Sequence, residues 1–423
     1  MRTLVAGYGR SGRAVAKFLE NLQQPFDVFD EGFKQPGSNV LKKLDDIKWS
    51  ELDRIVLSPG IPYDHKLVST ALTHKIEVIS EIEFAFLHCN GPVIAVTGSN
   101  GKSSTVTMLE SIFLETGIPV QLCGNIGKPF TLAVMENPDA VFVVEISSFQ
   151  LETISTFKPR VAILLNITPD HMDRHGSLEA YEQAKLRIFE NQSLKDLGIF
   201  PADYQDKIPG SGRRIAIPGS GAHIKGGSLV LGQSMQVKTE NPILEVPHQR
   251  SNALFAALAA LELGASIQQV EDGLNRFPGL KHRMEIVGVH HKRTWVNDSK
   301  ATNTDATQVA LHAMKEPYIL ILGGKNKNAD FSVLDFSRKE PEKIILYGKA
   351  ADEISEALSG MKQETKHLFR DAVLSAWDIS RPGDVILLSP GCASFDQFGN
   401  FELRGEAFRD IFKEVQLGIH HER

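Results

Sequence analysis

The 423-residue sequence lacks the features of secreted, membrane-spanning and nucleic-acid-binding proteins. Its three cysteines cannot all pair and show no metal-ligand spacing. No apolar run approaches the ~20 residues that cross a bilayer, and a formal net charge of -6 leaves no broad basic surface. We therefore expect a cytoplasmic protein with small-molecule ligands, no nucleic-acid partner and no insertion into a membrane.

Short runs rich in Val, Ile and Leu recur along the chain, and helical patterns separate them. This alternation is typical of parallel sheets flanked by helices and predicts the α/β class. The runs fall into three groups, and an Asn-Gly-Pro break at residues 90–92 closes the first group. We predict three domains, residues 1–90, 91–280 and 281–423, each built on a mainly parallel sheet flanked by helices.

Polar and charged residues stand directly after several of the apolar runs. Glu145 follows VFVV, Asn166 and His171 follow AILL, and Asp298 follows TWVN. In open α/β sheets, ligands bind beyond the carboxyl ends of the strands. These residues are therefore candidates for ligand contacts, although loops are polar in any protein.

The segment TGSNGKSST, residues 97–105, has the pattern of a shortened phosphate-binding loop. Two residues separate its glycines, where the usual pattern has four. The segment stands between the run VIAV and a helical pattern, so a helix N-terminus and Lys102 could hold phosphates while Ser103 binds Mg²⁺. An ordinary strand-to-helix turn is the alternative.

The segment GYGRSG, residues 7–12, matches G-x-G-x-x-G after the first apolar run, and Asp30 ends the next run. This pattern predicts a turn that accepts a diphosphate, with the acid on a ribose hydroxyl. It does not separate a nicotinamide dinucleotide from another nucleotide. A purely structural tight turn would give the same pattern.

A lysine interrupts an apolar stripe in the helical segment GSLEAYEQAKLRIFENQ. With Ser177 as the N-cap, Lys185 falls in the middle of this stripe. The stripe consists of Leu178, Tyr181, Ile188 and Phe189. Burial would lower the pKa of Lys185 and leave a neutral amine that can act as a nucleophile, form a covalent adduct or meet an anion. Alternatively, its stem snorkels to the edge of the stripe.

Three further residues each allow two interpretations. Glu145 could cap a helix or bind Mg²⁺, which is commonly held by one or two carboxylates together with phosphates. His171 could be a hydrogen-bonded structural histidine or a functional one. Cys392 in SPGCAS has no sequence-local base to activate it, so a buried small hydrophobe explains it better than a nucleophile does.

Eight segments together resemble the Mur ligases, and within that family the members that add D-glutamate. In chain order they are TGSNGKSS, GNIG, EISSFQLE, NITPDHMDRHGS, YEQAKLRIF, DSKATN, GGKNKNADF and SPGCASFDQFGNF. The likeness covers nearly the whole chain. The central motifs are shared with folylpolyglutamate synthase, whereas DSKATN and SPGCASFDQF single out the D-glutamate members. The resemblance implies a Rossmann-like N-terminal domain, a central P-loop-type ATPase domain and a Rossmann-like C-terminal domain.

The resemblance also implies an ATP-dependent amide ligase of peptidoglycan precursor synthesis, which acts through an acyl phosphate and a tetrahedral intermediate. ATP would contact Gly98, Asn100, Gly101, Lys102, Ser103, Ser104, Asn252, Arg283 and Asp298. The catalytic residues would be Lys102, Asn125, His171 and Lys185. Of two Mg²⁺ ions, one would bind Ser103 and Glu145. The other would bind His171 and Lys185, the lysine as an N6-carboxylated side chain.

The same resemblance assigns both remaining substrates. UDP-N-acetylmuramoyl-L-alanine would lie against Gly9, Arg10, Ser11, Asp30, Ser58 and Asn125. D-glutamate would contact Lys300, Thr302, Lys327, Ser394 and Phe401. Gln249 stands where an asparagine is common in the family, which leaves one ATP contact open. We make no site prediction for residues 193–247, and we expect a monomer.

Three other functions fit part of the sequence. An NAD-dependent oxidoreductase would rest on GYGRSG and Asp30 and would leave residues 97–105 without a purpose. A sibling ligase, such as a folate polyglutamylator, would share the central motifs. A nucleotide-binding regulatory protein without turnover would have no physical need for the inward-facing Lys185.

Overall fold

A computed structural model describes residues 1–34, 39–219, 222–225, 228–232 and 235–419. The chain forms two compact units, residues 1–277 and residues 278–423. The larger unit contains the two sheets that carry the glycine-rich segments. The smaller unit contains one sheet of its own.

The first sheet of the larger unit is entirely parallel. Its strands are β1 (Thr3–Ala6), β2 (Phe26–Phe29), β3 (Val40–Leu41), β4 (Arg54–Leu57) and β5 (Glu77–Ser80). Its helices are α1 (Arg10–Asn21), α2 (Lys66–Thr73) and α3 (Glu81–Phe86). The spatial order is β3-β2-β1-β4-β5, so the chain reverses direction across the sheet next to β1. Such a switch point opens a crevice at the carboxyl ends of the strands.

The second sheet is also parallel, in the order β11-β10-β9-β6-β8-β7. Its strands are β6 (Val93–Thr97), β7 (Val120–Gly124), β8 (Val141–Glu145), β9 (Val161–Leu164), β10 (Leu197–Pro201) and β11 (Arg213–Ile217). Its helices are α4 (Lys102–Thr116), α5 (Phe130–Glu136), α6 (Ser148–Leu151), α7 (Met172–His175), α8 (Leu178–Leu186), α9 (Pro247–Glu262) and α10 (Ile267–Arg276). Every residue of β6, β8 and β9 is buried, as expected of central strands covered by helices on both faces.

A small antiparallel sheet follows, which the sequence analysis did not predict. It consists of β12 (Ala222–Lys225), β13 (Ser228–Leu231) and β14 (Met235–Val237). Leu229, Leu231 and Val237 join the hydrophobic core around α4 and α9. This sheet therefore enlarges the core of the second sheet.

The smaller unit has a six-stranded sheet in the order β15-β16-β20-β17-β18-β19. Its strands are β15 (Glu285–His290), β16 (Arg293–Asn297), β17 (Tyr318–Gly323), β18 (Lys343–Tyr347), β19 (Gln363–Lys366) and β20 (Val385–Leu388). Its helices are α11 (Thr304–Ala313), α12 (Ala351–Ala357), α13 (Phe369–Ile379) and α14 (Phe401–Leu417). Only β15 pairs antiparallel within this sheet. The predicted α/β class with mainly parallel sheets is confirmed, whereas the predicted domain bounds stay predictions.

Candidate active site

A cavity of about 560 Å³ opens at the carboxyl end of the first sheet. It lies between the glycine turn after β1 and the loops that follow β2 and β4. Five residues predicted to contact UDP line it: Gly9, Arg10, Ser11, Asp30 and Ser58. The cavity is therefore a candidate nucleotide site at the switch point of the sheet.

Local packing and hydrogen bonds shape the cavity. A Cβ atom on Gly12 would lie 1.8 Å from the carbonyl oxygen of Gly7, so only glycine allows α1 to approach β1 this closely. The Asp30 carboxylate accepts a hydrogen bond from the Tyr8 N–H at 2.7 Å. The Ser58 hydroxyl donates to the Gly7 carbonyl at 2.9 Å. These contacts fix the glycine turn whichever nucleotide it meets.

The predicted phosphate loop links β6 to α4, and the loop after β9 fastens it. The Asn100 N–H donates to the Asn166 side-chain oxygen at 2.9 Å, and the Asn166 amide donates back to the Asn100 carbonyl at 3.0 Å. Gly101 has the left-handed φ of 89° and precedes α4, whose first N–H groups offer an anion site. Asn252 lies close by, because a Cβ on Gly101 would be 2.6 Å from its side-chain oxygen.

Lys102 and the two serines after it begin α4. The Lys102 ammonium donates to the carbonyls of Gly98 and Ser99 at 2.6 and 2.8 Å. Ser103 and Ser104 are buried on the same turn of the helix. The loop therefore carries one ammonium and two hydroxyls next to the helix N-terminus.

Lys185 is buried beneath this loop, with a side chain that is 1% exposed. Its side-chain nitrogen donates to the Gly98 carbonyl at 2.9 Å and lies 4.5 Å from the centre of the Tyr181 ring. Burial first, and then the charge of Lys102, lowers the pKa of Lys185 well below its ordinary value, while Asp170 and Glu145 oppose this. The snorkelling alternative is therefore wrong.

One member of the predicted stripe is misplaced. Ser177 caps α8 as predicted, and Tyr181, Ile188 and Phe189 are buried, but Leu178 is 39% exposed. Leu178 occupies the first turn of α8, which projects from the core. Helix α8 ends at Leu186, and a short 3-10 turn continues to Phe189.

Glu145 ends β8 with a buried carboxylate that is only half satisfied. One oxygen accepts from the Asn125 side-chain amide at 2.8 Å, whereas the other has no hydrogen-bond partner among the described residues. Ser147, not Glu145, caps α6. A buried carboxylate oxygen without a hydrogen bond is well suited to bind a cation. Within the described residues no three His, Cys, Asp or Glu side chains form a metal cluster, so hydroxyls, water or phosphates would complete such a site.

His171 stands at the start of α7 with a left-handed φ of 55°. Its ring packs edge-on against Phe149, with centroids 4.9 Å apart, and its Nε2 lies 3.7 Å from an Asp170 oxygen. The side chain is 39% exposed. It can thus reach a ligand, as the functional interpretation requires.

In the smaller unit, Asp298 follows β16 and is buried. Its carboxylate accepts from the Ser389 hydroxyl at 2.8 Å and from the Met284 N–H at 3.1 Å. Burial raises the pKa of Asp298 to about 7, although the Ser389 hydrogen bond and the charge of Arg283 oppose the rise. Asp298 and Arg283, two predicted ATP contacts, therefore interact electrostatically.

The predicted D-glutamate contacts lie on loops after β16, β17 and β20 and at the start of α14. These residues are Lys300, Thr302, Lys327, Ser394 and Phe401. The Lys300 ammonium is 5.4 Å from the centre of the Phe401 ring. Ser394 is 2% exposed, whereas Lys327 is exposed. Backbone hydrogen bonds from Gly391 to Ala301 and from Lys325 to Ala393 join the three loops.

Sequence reasoning missed Arg404, which is fully buried on α14. Its guanidinium donates to the Ser299 hydroxyl and carbonyl at 2.9 and 2.7 Å and to the Cys392 carbonyl at 3.0 Å. It thereby holds two of these loops together. The sequence does contain a pattern that indicates its burial, because Arg404 lies on the same helical stripe as Phe408 and Ile411. Lys185 interrupts an apolar stripe in the same way.

Cys392 is buried, and burial raises the pKa of its thiol to about 12. A thiol of this kind is not a nucleophile at neutral pH, so the prediction of a buried hydrophobe is confirmed.

Among the described residues there is no helix with the length and apolarity of a membrane span.

Domain models of one family match three parts of the chain. The Mur ligase MurD-like N-terminal domain matches residues 1–80 and the Mur ligase middle domain matches residues 96–215. The Mur ligase glutamate ligase domain matches residues 282–392. All the predicted site residues except Asn252, Ser394 and Phe401 fall within these matches.

Curated relatives match over almost the full length. The chain is 37% identical to the UDP-N-acetylmuramoylalanine–D-glutamate ligase of Pelotomaculum thermopropionicum, covering 99% of this chain and 98% of that protein. Enzymes of the same name from Thermoanaerobacter pseudethanolicus and Salinibacter ruber are 38% and 34% identical. Both matches cover 98% of each chain.

Solved structures share the fold at lower identity. The UDP-N-acetylmuramate-alanine ligase MurC of Thermotoga maritima aligns with a TM-score of 0.64 at 15% identity, over 98% of this chain and 99% of that one. E. coli FolC in complex with DHPP and ADP aligns with a TM-score of 0.59 at 18% identity, over 79% and 92%. The MurC structure therefore shares its fold with nearly the whole of this chain.

Proposed function

The chain belongs to the Mur ligase family, and from this premise we propose that it is the ATP-dependent ligase that adds D-glutamate to UDP-N-acetylmuramoyl-L-alanine. One observation carries the proposal: identity of 34–38% to enzymes of that name over nearly the full chain. The reaction belongs to the synthesis of peptidoglycan precursors. The folate enzyme FolC, by contrast, shares the fold at 18% identity.

The proposed chemistry has two steps. The free carboxylate of the L-alanine attacks the γ-phosphorus of ATP, giving an acyl phosphate and ADP. The amine of D-glutamate then attacks the acyl carbon, and phosphate leaves from a tetrahedral intermediate as the amide forms. Both steps bring negatively charged carboxylates and phosphates close together. They therefore need neutralisation of this charge and precise positioning of the reactants more than a strong acid or base.

The loop before α4 supports the ATP assignment. We propose that its N–H groups and Lys102 bind the phosphates, with contacts from Gly98, Asn100, Gly101, Ser103 and Ser104. Asn252 lies against the same loop, so its amide is placed for a further contact. Arg283 and Asp298 are the remaining proposed ATP contacts.

The half-satisfied carboxylate of Glu145 supports a divalent cation next to the nucleotide. We propose that Glu145 and Ser103 bind Mg²⁺, which supplies charge neutralisation at the phosphates. Asn125 fixes the Glu145 carboxylate through its amide and would also orient the acyl group. The hydrogen bond leaves the second carboxylate oxygen available.

A second Mg²⁺ would bind His171 and a carboxylated Lys185. Only a neutral amine reacts with CO₂, forming an N–C bond and releasing one proton to give a carbamate anion. The lowered pKa of Lys185 supplies that neutral amine. The carbamate would turn a buried amine into an oxygen ligand suited to a hard cation.

The cavity of the first sheet is the proposed binding site for the UDP end of UDP-N-acetylmuramoyl-L-alanine. Asn125 would contact the other end of this substrate, which carries the acceptor carboxylate. Lys300, Thr302, Lys327, Ser394 and Phe401 would receive D-glutamate, the lysines facing its carboxylates. We further propose a monomeric, cytoplasmic enzyme, because one chain carries every proposed site residue and all three substrates are small molecules. Sedimentation at working concentration would test the oligomeric state.

Phosphate release tests the function directly. The purified protein is supplied with Mg-ATP and UDP-N-acetylmuramoyl-L-alanine, with D-glutamate, L-glutamate or no amino acid. We expect release that requires both the UDP-sugar and D-glutamate. Folded protein that binds ATP but releases no phosphate with D-glutamate would contradict the proposal.

A further inference from the structure

Arg174 links the segment that carries His171 to the wall of the cavity. Its guanidinium donates to the Pro59 carbonyl at 2.6 Å and approaches the Ile61 carbonyl at 3.5 Å. Pro59 and Ile61 both line the cavity. They follow β4 and lie more than a hundred positions before Arg174 in the chain.

The same side chain contacts the surroundings of His171. Arg174 donates to a Glu152 oxygen at 2.8 Å, and its guanidinium lies 4.0 Å from the centre of the Phe149 ring. The Phe149 ring also packs edge-on against the His171 ring, with centroids 4.9 Å apart, and stacks on the His175 ring at 5.4 Å. The Arg174 N–H also donates to the His171 carbonyl at 3.1 Å. One residue therefore contacts both the cavity wall and the ring that supports His171.

This set of contacts requires an arginine. The planar guanidinium has donors that diverge toward separate acceptors, and its face can stack on an aromatic ring. A lysine offers one compact ammonium and cannot span the two carbonyls, the carboxylate and the ring together. Pairing with Glu152 alone would satisfy the charge, so the reach to Pro59 and Ile61 is not explained by the ion pair.

We propose that Arg174 is a positioning residue, which holds His171 in register with the acceptor bound in the cavity. The inference rests on the proposed function, because it takes the cavity as the UDP site and His171 as a group of the acyl-transfer site. Arg174 itself touches no reacting atom. Its effect passes through the loop at residues 58–62 on one side and through Phe149 on the other.

Arg187 provides a matched control in the same region. It donates to the carbonyls of Leu151 and Ile154 at 2.9 and 2.7 Å and pairs with Glu190. In the described part of the chain, these partners and the Glu152 carbonyl are the only hydrogen-bond partners of its guanidinium. Arg174 and Arg187 therefore both stabilise residues 151–154, and only Arg174 reaches the cavity wall.

The experiment measures hydrogen exchange of the full chain with and without UDP. Wild type, Arg174→Gln, Arg174→Lys and Arg187→Gln are compared at the amides of residues 7–12 and 174–176. In wild type, we expect UDP to slow exchange at both segments. Both Arg174 variants should keep the protection at residues 7–12 and lose it at residues 174–176, whereas Arg187→Gln should keep both.

Kinetics give a second readout that a purely structural role would not produce. We expect both Arg174 variants to lose up to about 100-fold in kcat, the effect of displacing a group by about 1 Å, with an unchanged KM for ATP. Arg174→Lys retains the charge, so it carries the test if Arg174→Gln fails to fold.

The outcomes separate the two proposals. Wild type that shows no UDP protection at residues 7–12 would overturn the UDP assignment of the cavity, and this inference with it. Protection at residues 7–12 without any at residues 174–176 would overturn the inference alone. Protection at residues 174–176 that persists in both Arg174 variants would also overturn it.

Discussion

Lys102 and Lys185 donate hydrogen bonds to the same acceptor, the carbonyl oxygen of Gly98, at 2.6 and 2.9 Å. Two ammonium groups that share one oxygen repel each other, so one positive charge is favoured over two. Burial decides which amine loses its proton more readily, because Lys185 is 1% exposed and Lys102 is only partly buried. The pKa of the amine beneath the phosphate loop is thus lowered by its burial and by the charge of Lys102 on the loop's own helix.

Replacing Lys185 by alanine should abolish most activity. We expect a loss of about 100-fold or more, because the carbamate ligand cannot form. Added bicarbonate should not restore phosphate release, whereas a small carboxylate such as acetate should restore part of it. Lys195→Ala, at an exposed position, is the control. Wild-type rates in Lys185→Ala would refute the carbamate role.

Replacing Lys185 by methionine should stabilise the ligand-free protein in CO₂-free buffer. The unfolded lysine holds its proton up to a pH of about 10.4, whereas the lowered pKa releases it earlier in the folded state. The unfolded state then binds more protons between those two pKa values, so wild-type stability rises with pH.

The advantage of Lys185→Met in unfolding free energy should therefore shrink as the pH rises toward about 10.4, by at most about 1.4 kcal/mol per pH unit. Urea unfolding at several pH values measures it, with Lys195→Met as the control. A difference that does not change with pH would mean that the folded protein keeps Lys185 charged.

Replacing Glu145 by glutamine should raise the Mg²⁺ concentration required for activity. The amide oxygen can still accept from Asn125, so the local fold should persist, but the anionic ligand is gone. We expect turnover to fall about 100-fold at ordinary Mg²⁺ and to recover partly at high Mg²⁺. An Mg²⁺ titration of phosphate release tests this, and an unchanged titration would exclude Glu145 as a ligand.

Asp298 should make the protein less stable as the pH rises from about 4 to about 7. The pKa of about 7 in the folded state exceeds the unfolded value of about 3.9, so the folded state binds more protons in that window. In Asp298→Asn this titration is absent. The unfolding free energy of wild type should thus fall relative to Asp298→Asn across the window. Asp378→Asn, at an exposed site, should show no such trend.

Gly101 and Gly117 flank α4 and allow a paired test. Both have left-handed φ angles, 89° and 71°, so alanine costs about 1–2 kcal/mol of backbone strain at either position. A Cβ at Gly101 also meets Asn252 at 2.6 Å, whereas a Cβ at Gly117 meets no atom of the described residues within 4 Å. Gly101→Ala should therefore lose more stability and also ATP affinity. Equal effects of the two variants would mean that Asn252 moves aside at no cost.

Sequence patterns predicted the class, the strands and the placement of Lys185, because each depends on periodicity within a short stretch. The prediction that Leu178 belongs to the buried stripe was wrong, because periodicity defines the face of a helix but not where along the helix the core ends. The small sheet β12–β14 escaped prediction because its short strands lie among Gly and Pro residues.

The two arginines show what local patterns cannot predict. Arg404 and Arg174 act through the carbonyl groups of Ser299 and Pro59, which lie far away in the chain, and any residue type supplies a carbonyl. No sequence motif marks such an acceptor. Only the folded arrangement shows which loops these guanidinium groups hold together.

Gly12 bears on how such chains are found by pattern searches. Its hydrogen faces a carbonyl oxygen where a methyl group has no room, whatever the cavity contains. Selection would therefore retain this glycine even if the ligand changed. The G-x-G-x-x-G signature consequently reports the closeness of a helix to a strand, and the identity of the nucleotide must be read from residues on the cavity wall, such as Arg10 and Ser58, that the signature leaves unspecified.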